Sequence, residues 1–329
     1  MTTSVLKVEN LRLLYETMRG RSWALTGVDF GIQPGEVLGL VGESGCGKSS
    51  LALAIMQLLP QSARAMTGKV LFKGQDILSL TGTEMETVRG SGISMIFQEP
   101  LTSLNPLFTI GDQLRESIRM ALRRRKDESL KSELKEEVSR QAVDWLRRVG
   151  IPDSESAVKK YPHELSGGMR QRVMIAMAMA SRPSLLLADE PTSALDVTTQ
   201  AQILQLIQLL IKDAGTAVIF ISHDLAVIAQ IADRVAVMYA GMLVEESSVS
   251  EIFENPLHPY TQALLSSFPR QERRKKRLET IPGSVPELES VPARCPFDSR
   301  CKYATSDCLK ARPHWKEVSP GHHVACILF

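Results

Sequence analysis

Residues 42–49 could hold the phosphates of a nucleotide. They read Gly-Glu-Ser-Gly-Cys-Gly-Lys-Ser, follow a short, mostly apolar run at 36–41 that predicts a buried strand, and lead into 50–56, which predict a helix. The glycines let backbone N–H groups curl around phosphates with no Cβ in the way, and the helix N-terminus adds partial positive charge. Lys48 adds a full charge, and Ser49 can ligate Mg²⁺. The predicted nucleotide contacts in this loop are Gly42, Ser44, Gly45, Cys46, Gly47, Lys48, Ser49 and Ser50.

Four polar side chains stand at the ends of predicted buried strands. Gln98 ends the run 92–98, where open α/β sheets place their ligands, and it could ligate Mg²⁺ or hold an attacking water; a solvated glutamine is the alternative. Asp189 and Glu190 end the run 184–190. Asp189 could hold Mg²⁺ and Glu190 could polarise a water towards a γ-phosphate, with plain caps as the alternative. His223, after the run 217–222, can contact a γ-phosphate, although a lone histidine at a strand end is usually inert.

A second anion site is predicted downstream of the phosphate loop. Ser166, Gly167, Gly168 and Met169 open a predicted helix at 170–181, and a helix N-terminus attracts anions. Asp196 is placed to cap the next predicted helix, which runs to about residue 210. Tyr15, upstream of the phosphate loop, could stack on an adenine ring or simply pack on its strand.

Four of the five cysteines crowd the C-terminus. Cys295, Cys301, Cys308 and Cys326 have the spacing C-x5-C-x6-C-x17-C, which matches neither a zinc ribbon nor a bacterial ferredoxin. Four thiolates suit either Zn²⁺ or a [4Fe–4S] cluster, and cysteines that only pack are the alternative. Neighbouring cations that could offset thiolate charge, and histidines that could substitute as ligands, are Arg294, Arg300, Lys302, His322 and His323.

The composition limits the class of protein. A chain of 329 residues can hold one large α/β domain with an appendage, or two domains. The net charge of +2 does not indicate a nucleic-acid partner. No apolar run approaches the ~18 residues that cross a bilayer, and the N-terminus has no secretory apolar segment, so a cytosolic chain is expected.

The pattern of strands and helices predicts an α/β core with an inserted helical part. β-Structure is expected from about residue 6 to residue 30 in two pieces, 11–15 and 23–30, and a further strand is expected at 68–72. A charged helical block fills 110–148, with the basic cluster at 123–126 on its surface. We predict an ATPase domain at 1–254, with the helical subdomain at about 107–180, and a C-terminal extension at 255–329. A proline-rich linker at 281–292 precedes the cysteines.

The order of these motifs, over about residues 5–268, resembles the ATP-binding subunits of ABC transporters. Met169 stands where a glutamine commonly ends their signature sequence. The resemblance implies a mixed, partly parallel sheet with an antiparallel β-subdomain and an inserted helical subdomain. It also implies ATP hydrolysis with Glu190, Gln98 and His223 as catalytic residues, and Mg²⁺ held by Ser49, Gln98 and Asp189. In a head-to-tail dimer, the segment 166–169 and Asp196 of one chain would face the ATP of the other.

Three features resemble the oligopeptide/dipeptide importer branch of that family: residues 97–106, residues 255–261, and the cysteine-bearing tail. The branch also includes importers of nickel and of some oligosaccharides. The resemblance implies a second, related ATPase subunit, two membrane permeases and an extracytoplasmic binding protein as partners, with no nucleic acid. It places the chain at the cytoplasmic face of the inner membrane and favours a [4Fe–4S] cluster over Zn²⁺.

Two other functions compete with import. A soluble ABC ATPase acting on DNA or ribosomes would carry long coiled-coil insertions or a second cassette, and this chain has neither. A sensing module, with the cysteine tail as its active part and ATP as a structural ligand, would not need Glu190 and His223, which are both present.

Overall fold

The structure is a computed structural model that describes residues 4–18, 20–99, 103–123, 131–193, 195–267 and 281–329. Within these ranges the strands are β1 (Leu6–Thr17), β2 (Gly20–Ile32), β3 (Val37–Val41), β4 (Ala63–Phe72), β5 (Gln75–Asp76), β6 (Ile93–Ile96), β7 (Leu185–Asp189), β8 (Ala217–Ile221), β9 (Arg234–Tyr239), β10 (Met242–Ser248), β11 (Lys316–Ser319) and β12 (His322–Val324). The α-helices are α1 (Lys48–Ile55), α2 (Gly82–Val88), α3 (Ile110–Arg123), α4 (Lys131–Arg148), α5 (Ser154–Ala157), α6 (Gly167–Met179), α7 (Val197–Ala214), α8 (Leu225–Ile231), α9 (Val249–Glu254) and α10 (Pro259–Ser266).

The chain divides into two compact units. The first comprises Met1–Ser79 and Phe220–Phe329, and the second comprises Leu80–Ile219. The phosphate loop, His223 and the cysteine-bearing tail therefore belong to the first unit. Gln98, the segment 166–169, Asp189, Glu190 and Asp196 belong to the second.

An antiparallel sheet forms the N-terminal part of the first unit. Its strands lie in the order β2-β1-β4-β5, and Leu11, Leu13 and Leu25 are fully buried on it. The predicted strands at 11–15, 23–30 and 68–72 are confirmed, but each begins earlier in the chain than expected. The register of β1 shifts between Val8 and Leu11, so the alternation of apolar and polar residues breaks at that point and hides the strand's first half.

A second sheet in the same unit carries the strand that leads into the phosphate loop. Its strands in this unit lie in the order β11-β12-β10-β9-β3. β3 is parallel to β9, whereas β10 is antiparallel to both β9 and β12. Every residue of β3 is buried, as predicted for a strand covered on both faces.

Buried Glu245 on β10 joins the C-terminal extension to this sheet. Its Oε1 accepts hydrogen bonds from the backbone N–H of Leu257 at 2.7 Å and from Nε2 of His322 at 2.8 Å, and its Oε2 accepts one from the N–H of His258 at 2.9 Å. A carboxylate with no exposed surface is tolerated because its oxygens have these partners. The extension that we predict to begin at 255 thus shares a hydrogen-bonded sheet with β3.

The second unit combines a parallel strand pair with helices. β6 pairs with β7 in parallel, and both strands are mostly buried. The predicted helical block at 110–148 is confirmed as α3 and α4, which pack against each other. Ile118, Val138 and Ala142 are among their buried residues. Their exposed faces carry ion pairs such as Arg147–Asp144 at 2.8 Å. Of the predicted basic cluster, residues 124–126 lie outside the described part of the chain.

None of the helices in the described ranges has the length and hydropathy needed to cross a membrane.

Candidate nucleotide-binding and hydrolysis site

The phosphate loop connects β3 to α1, and two of its glycines cannot be replaced without moving backbone. A Cβ on Gly42 would lie 2.2 Å from the carbonyl oxygen of Met238. Gly47 has a φ of 112°, which residues other than glycine rarely adopt. A Cβ added to Gly47 would lie 2.5 Å from the carbonyl oxygen of Ala24. The glycines at these two positions are therefore required by close packing as well as by the loop's turn.

Lys48 opens α1 and points its ammonium group back at the loop. Its Nζ donates hydrogen bonds to the carbonyl oxygens of Gly42 at 2.8 Å and Glu43 at 3.0 Å, and lies 3.6 Å from Sγ of Cys46. The side chain is buried, so its charge acts in a medium of lower effective dielectric than water. Cys46 is fully buried too, and burial raises the pKa of its thiol.

Tyr15 on β1 reaches the first turn of α1. Its hydroxyl donates a hydrogen bond to Oγ of Ser50 at 3.4 Å. The structure therefore brings together two residues that we predict to contact the nucleotide, one on each side of the loop in the sequence. Ser44, Gly45 and Ser49 of the same set are exposed.

His223 lies in the same unit, just beyond β8. It is exposed, and the residue before it, Ser222, donates its backbone N–H to the carbonyl oxygen of Leu40 at 3.2 Å. Leu40 belongs to β3, two residues before the loop begins. The segment that carries His223 therefore lies beside the strand that carries the phosphate loop.

In the second unit, Gln98 and Glu190 are hydrogen-bonded to each other. Nε2 of Gln98 donates to Oε2 of Glu190 at 3.1 Å. The two residues follow the parallel strands β6 and β7, whose carboxyl ends meet at one edge of the sheet. Asp189, the last residue of β7, is buried. Glu190 has a left-handed backbone with a φ of 45°, unusual for a residue other than glycine.

The segment 166–169 starts helix α6, as predicted. Oγ of Ser166 accepts the backbone N–H of Met169 at 3.4 Å, which caps the helix. A Cβ on Gly168 would lie 2.9 Å from Cγ2 of Thr199. Asp196 caps α7 by accepting the backbone N–H of that same Thr199 at 3.0 Å, so the starts of the two helices both contact Thr199. The predicted cap at Asp196 is confirmed; Ala194, nearby, lies outside the described residues.

Family comparisons identify the cassette. The ABC transporter family model matches residues 25–193, which include the phosphate loop, Gln98, the segment 166–169 and Glu190. The chain belongs to the ABC transporter family. A second family model, which describes the C-terminal region of oligopeptide/dipeptide transporters, matches residues 244–308.

Relatives of known name are similar over nearly the whole chain. A probable peptide ABC transporter ATP-binding protein of Sinorhizobium fredii is 50% identical over 305 residues, which cover 92% of this chain and 88% of that protein. The dipeptide transport ATP-binding protein of Bacillus subtilis is 48% identical over 325 residues, covering 98% and 94%. The oligopeptide transport ATP-binding protein of the same organism is 47% identical over 324 residues, covering 98% and 88%.

Solved structures share the fold of this ABC subunit. A dimeric ATP-binding cassette in a post-hydrolysis state, bound to ADP and phosphate, is 28% identical with a TM-score of 0.64 and covers 74% of this chain and 98% of its own. The cbiO1 subunit of a Clostridium perfringens ABC transporter complex is 28% identical with a TM-score of 0.62, covering 77% and 92%. The predicted α/β ABC ATPase fold and ATP hydrolysis as the reaction are thereby confirmed.

The four C-terminal cysteines of this ABC subunit line one small cavity, together with His258 and Phe297. Burial raises the pKa of the Cys295 thiol to about 11, and it also raises those of Cys301 and Cys326. Across the described ranges, however, no three Cys, His, Asp or Glu side chains come together in a way that could hold a metal ion. The two histidines suggested as substitute ligands have other contacts: His322 bonds Glu245, and His323 stacks on Trp315.

Sequence reasoning missed two residues that contact the phosphate loop. Tyr260 accepts the backbone N–H of Glu43 at 2.8 Å through its hydroxyl oxygen. Arg300, which we expected to offset thiolate charge, instead forms an ion pair with the carboxylate of Glu43 at 3.0 Å. The acidic residue inside a loop that must accept phosphates indicates that a cation lies nearby, but it does not indicate which cation, and no sequence signal indicates Tyr260.

Proposed function

We propose that this ABC ATPase powers the uptake of oligopeptides or dipeptides across the cytoplasmic membrane. The observation that carries the proposal is the match of residues 244–308 to the C-terminal region of oligopeptide/dipeptide transporters. It is supported by relatives named for peptide, dipeptide and oligopeptide transport, at identities of 47% to 50%. Import of nickel or an oligosaccharide by the same machinery is the alternative.

In the proposed reaction, water attacks the γ-phosphate of ATP and ADP leaves. Lys48 binds the phosphates, and Glu190 accepts the proton of the attacking water, which Gln98 helps to orient. Ser49, Gln98 and Asp189 supply the oxygen donors that Mg²⁺ prefers, and the ion would neutralise charge on the β- and γ-phosphates. His223 contacts the γ-phosphate and senses its loss, and the ring of Tyr15 stacks on the adenine.

We further propose that two ATPase chains bind ATP between them in a head-to-tail dimer. Ser166, Gly167 and Gly168 of one chain, with Met169 and Asp196, would face the nucleotide on the other chain's phosphate loop. The exposed position of Ser166 and Gly167 at the start of α6 supports this arrangement, because helix N-termini attract anions. ATP then holds the dimer closed, and hydrolysis reopens it.

The remaining partners follow from the importer class. The second ATPase chain is a related subunit, so that the pair is a heterodimer, and two permeases and an extracytoplasmic binding protein complete the transporter. The chain would act at the cytoplasmic face of the inner membrane as a peripheral subunit. Residues 97–106 and the helical subdomain would receive the permeases; residues 100–102 of that surface lie outside the described part of the chain.

Reconstitution tests the transport function. The full complex is placed in vesicles with its binding protein, and ATP hydrolysis and solute uptake are measured with a dipeptide, a longer peptide, Ni²⁺ and an oligosaccharide. Peptide should stimulate both activities, and the purified subunit alone should hydrolyse ATP slowly. Stimulation by Ni²⁺ or an oligosaccharide but by no peptide would reject peptide import, and full activity from a dilute monomer would reject the head-to-tail dimer.

We also propose that the cysteine tail binds one [4Fe–4S] cluster, with Zn²⁺ as the alternative. Support comes from the four thiols that line one cavity. Burial is the main cause of the raised pKa of Cys295, and the charges of Cys308, Cys326 and Cys301 raise that pKa further. A positively charged group would relieve that repulsion between thiolates. The described side chains do not form a ready metal-binding group, so the support consists of the shared cavity and the repulsion between its thiolates.

Anaerobic purification tests the cluster. We expect iron and sulfide in a fixed ratio to protein and the broad visible absorption of thiolate-bound iron–sulfur centres. Cys308→Ser should remove both, whereas Cys46→Ser, which changes a cysteine outside the cavity, should retain them. Stoichiometric zinc, or a colourless protein without metal, would contradict the iron–sulfur proposal.

A further inference from the structure

Glu43, the second residue of the phosphate loop, is held through its backbone and its side chain. Its N–H donates to the hydroxyl oxygen of Tyr260 at 2.8 Å, and its carbonyl oxygen accepts from Nζ of Lys48 at 3.0 Å. Its carboxylate accepts two hydrogen bonds from Arg300, Nη1 to Oε2 at 3.0 Å and Nη2 to Oε1 at 3.1 Å. This is the two-point pairing of a planar guanidinium with a carboxylate, which fixes both partners.

The guanidinium of Arg300 is fixed by the tail that carries it. Its side chain is 5% exposed, Nε donates to the carbonyl oxygen of Pro282 at 2.7 Å, and Nη2 lies 3.3 Å from that of Gly283. The group lies over the rings of Tyr239 and Phe297, at 5.7 and 6.0 Å from their centroids. Arg300 directly precedes Cys301, and Phe297 lies two residues after Cys295. The cysteine segment, by which we mean residues 295–301 of the tail, therefore places this cation against the phosphate loop.

A second contact between the extension and the loop runs through packed aromatic rings. Tyr260 packs on Tyr239 with ring centroids 4.7 Å apart, and Phe297 packs on both at 5.2 and 5.4 Å. Tyr239 and Tyr260 are fully buried, and Phe297 is 2% exposed. Aromatic clusters of this kind hold their members in fixed orientations, so the hydroxyl of Tyr260 is directed at Glu43 by its neighbours.

We propose that Arg300 is a positioning residue of the phosphate loop, through which the cysteine segment sets the affinity for ATP. The proposal rests on the ATP-binding function of that loop. A free carboxylate at Glu43 would lie in the loop that receives a triphosphate, and like charges this close oppose binding. Arg300 neutralises that carboxylate and draws it towards the tail, without itself needing to touch the nucleotide.

Nucleotide affinity of the full chain tests the proposal. The dissociation constant for Mg·ATP is measured by calorimetry for the parent, Arg300→Met, Arg300→Lys and the double variant Arg300→Met/Glu43→Gln. Arg300→Met should weaken binding about 5- to 150-fold, the usual range of a coupling between two sites. Arg300→Lys should lie in between, because an ammonium cannot make the two-point pairing. The double variant should regain most of the lost affinity, since the unpaired carboxylate is gone.

A matched control separates the charge effect from loss of the tail's structure. Arg312 is another tail arginine, and it donates hydrogen bonds to the carbonyl oxygen of Thr26 at 2.8 Å and to its Oγ1 at 3.3 Å, so these bonds are made to β2 and not to the phosphate loop. Arg312→Met should leave ATP affinity within about threefold of the parent, which is below the lower end of that coupling range. Equal weakening in both arginine variants, or no recovery in the double variant, would overturn the proposal.

Failure of the ATP-binding function itself would look different. Lys48→Ala serves as the variant that lacks the loop's own cation, and it should bind ATP poorly whatever Arg300 does. A parent chain that bound no ATP would overturn the assigned function and this proposal together. A parent that bound ATP, with Arg300→Met and Arg300→Lys binding it equally well, would overturn only the role of Arg300.

Discussion

Nε2 of Gln98 donates a 3.1 Å hydrogen bond to Oε2 of Glu190, and so the amide at the end of β6 holds the carboxylate at the end of β7. Glu190 adopts a left-handed backbone at this point, with a φ of 45°. A backbone of this kind in a residue other than glycine costs on the order of 1–3 kcal/mol and is retained where the surrounding structure requires it. The strain and the hydrogen bond together indicate that the direction of this carboxylate matters.

We expect Glu190→Gln to reduce ATP hydrolysis by the assembled transporter about 10²–10⁴-fold, because the amide cannot accept the proton of the attacking water. ATP binding should persist, since the substitution keeps the side chain's size and removes a negative charge. Steady-state turnover and a nucleotide-binding titration measure the two effects. Lys48→Ala is the control that should lose binding itself. Parental turnover by Glu190→Gln would contradict the role of Glu190 as the base.

Gly167 allows a test of the head-to-tail dimer. A Cβ added there would have no heavy atom of the described residues within 4 Å, so this chain gives no steric reason for glycine at the start of α6. Gly167→Ala should therefore leave the unfolding midpoint close to the parent's. Turnover by the complex should nevertheless fall at least about tenfold, because a close approach to the facing chain's γ-phosphate would be blocked.

Gly82 is the matched control for that substitution. It is also the first residue of a helix in the second unit, follows the capping residue Thr81, and has equally open space where a Cβ would be built. Gly82→Ala should leave both stability and turnover unchanged. Equal turnover in Gly167→Ala and Gly82→Ala would argue against the proposed contact with a second nucleotide.

Tyr15 distinguishes adenine stacking from strand packing. Base–aromatic stacking contributes about 1–3 kcal/mol per base, so Tyr15→Ala should weaken ATP binding by roughly 5- to 150-fold. Tyr15→Phe keeps the ring and loses only the hydroxyl that bonds Ser50, and its ATP affinity should stay near the parent's. A matching loss in both variants would assign the effect to that hydrogen bond and contradict stacking.

Local signals in the sequence predicted most of the candidate site, because most of its residues lie within a few positions of a strand end or a helix start. The phosphate loop, the segment 166–169 and the cap at Asp196 all lie on the elements expected for them. β-Structure is expected from about residue 6, but the first strand is placed only at 11–15 because a register shift between Val8 and Leu11 interrupts the alternation of β1. The pairing of Arg300 with Glu43 was missed for a different reason: it joins residues 257 positions apart, and no local pattern predicts such a contact.

Stability should depend on pH through buried Glu246 of β10. Its carboxylate lies 3.3 Å from Nε of Arg234, which also pairs with Glu36 at 3.0 Å. Burial raises the pKa of Glu246 to about 7, from an ordinary value of 4.5, against the lowering effect of Arg234. The folded state thus binds the proton more tightly than the unfolded state. The contribution of the protonated Glu246 carboxyl to stability is complete below about pH 4.5 and is lost as the pH rises through about 7.

Glu246→Gln should remove this dependence, because a neutral amide keeps the acceptor oxygen and does not ionise. The free energy of unfolding of both proteins is measured with denaturant at pH 5, 6, 7 and 8. As the pH rises, the variant should become more stable relative to the parent. The total shift should be on the order of 2 kcal/mol, the linkage expected for a pKa raised this far. Glu254→Gln, which changes an exposed glutamate of α9, is the control and should follow the parent at every pH. A parent and a Glu246→Gln variant with parallel pH profiles would show that this carboxyl titrates alike in the folded and unfolded states, contrary to its burial beside Arg234.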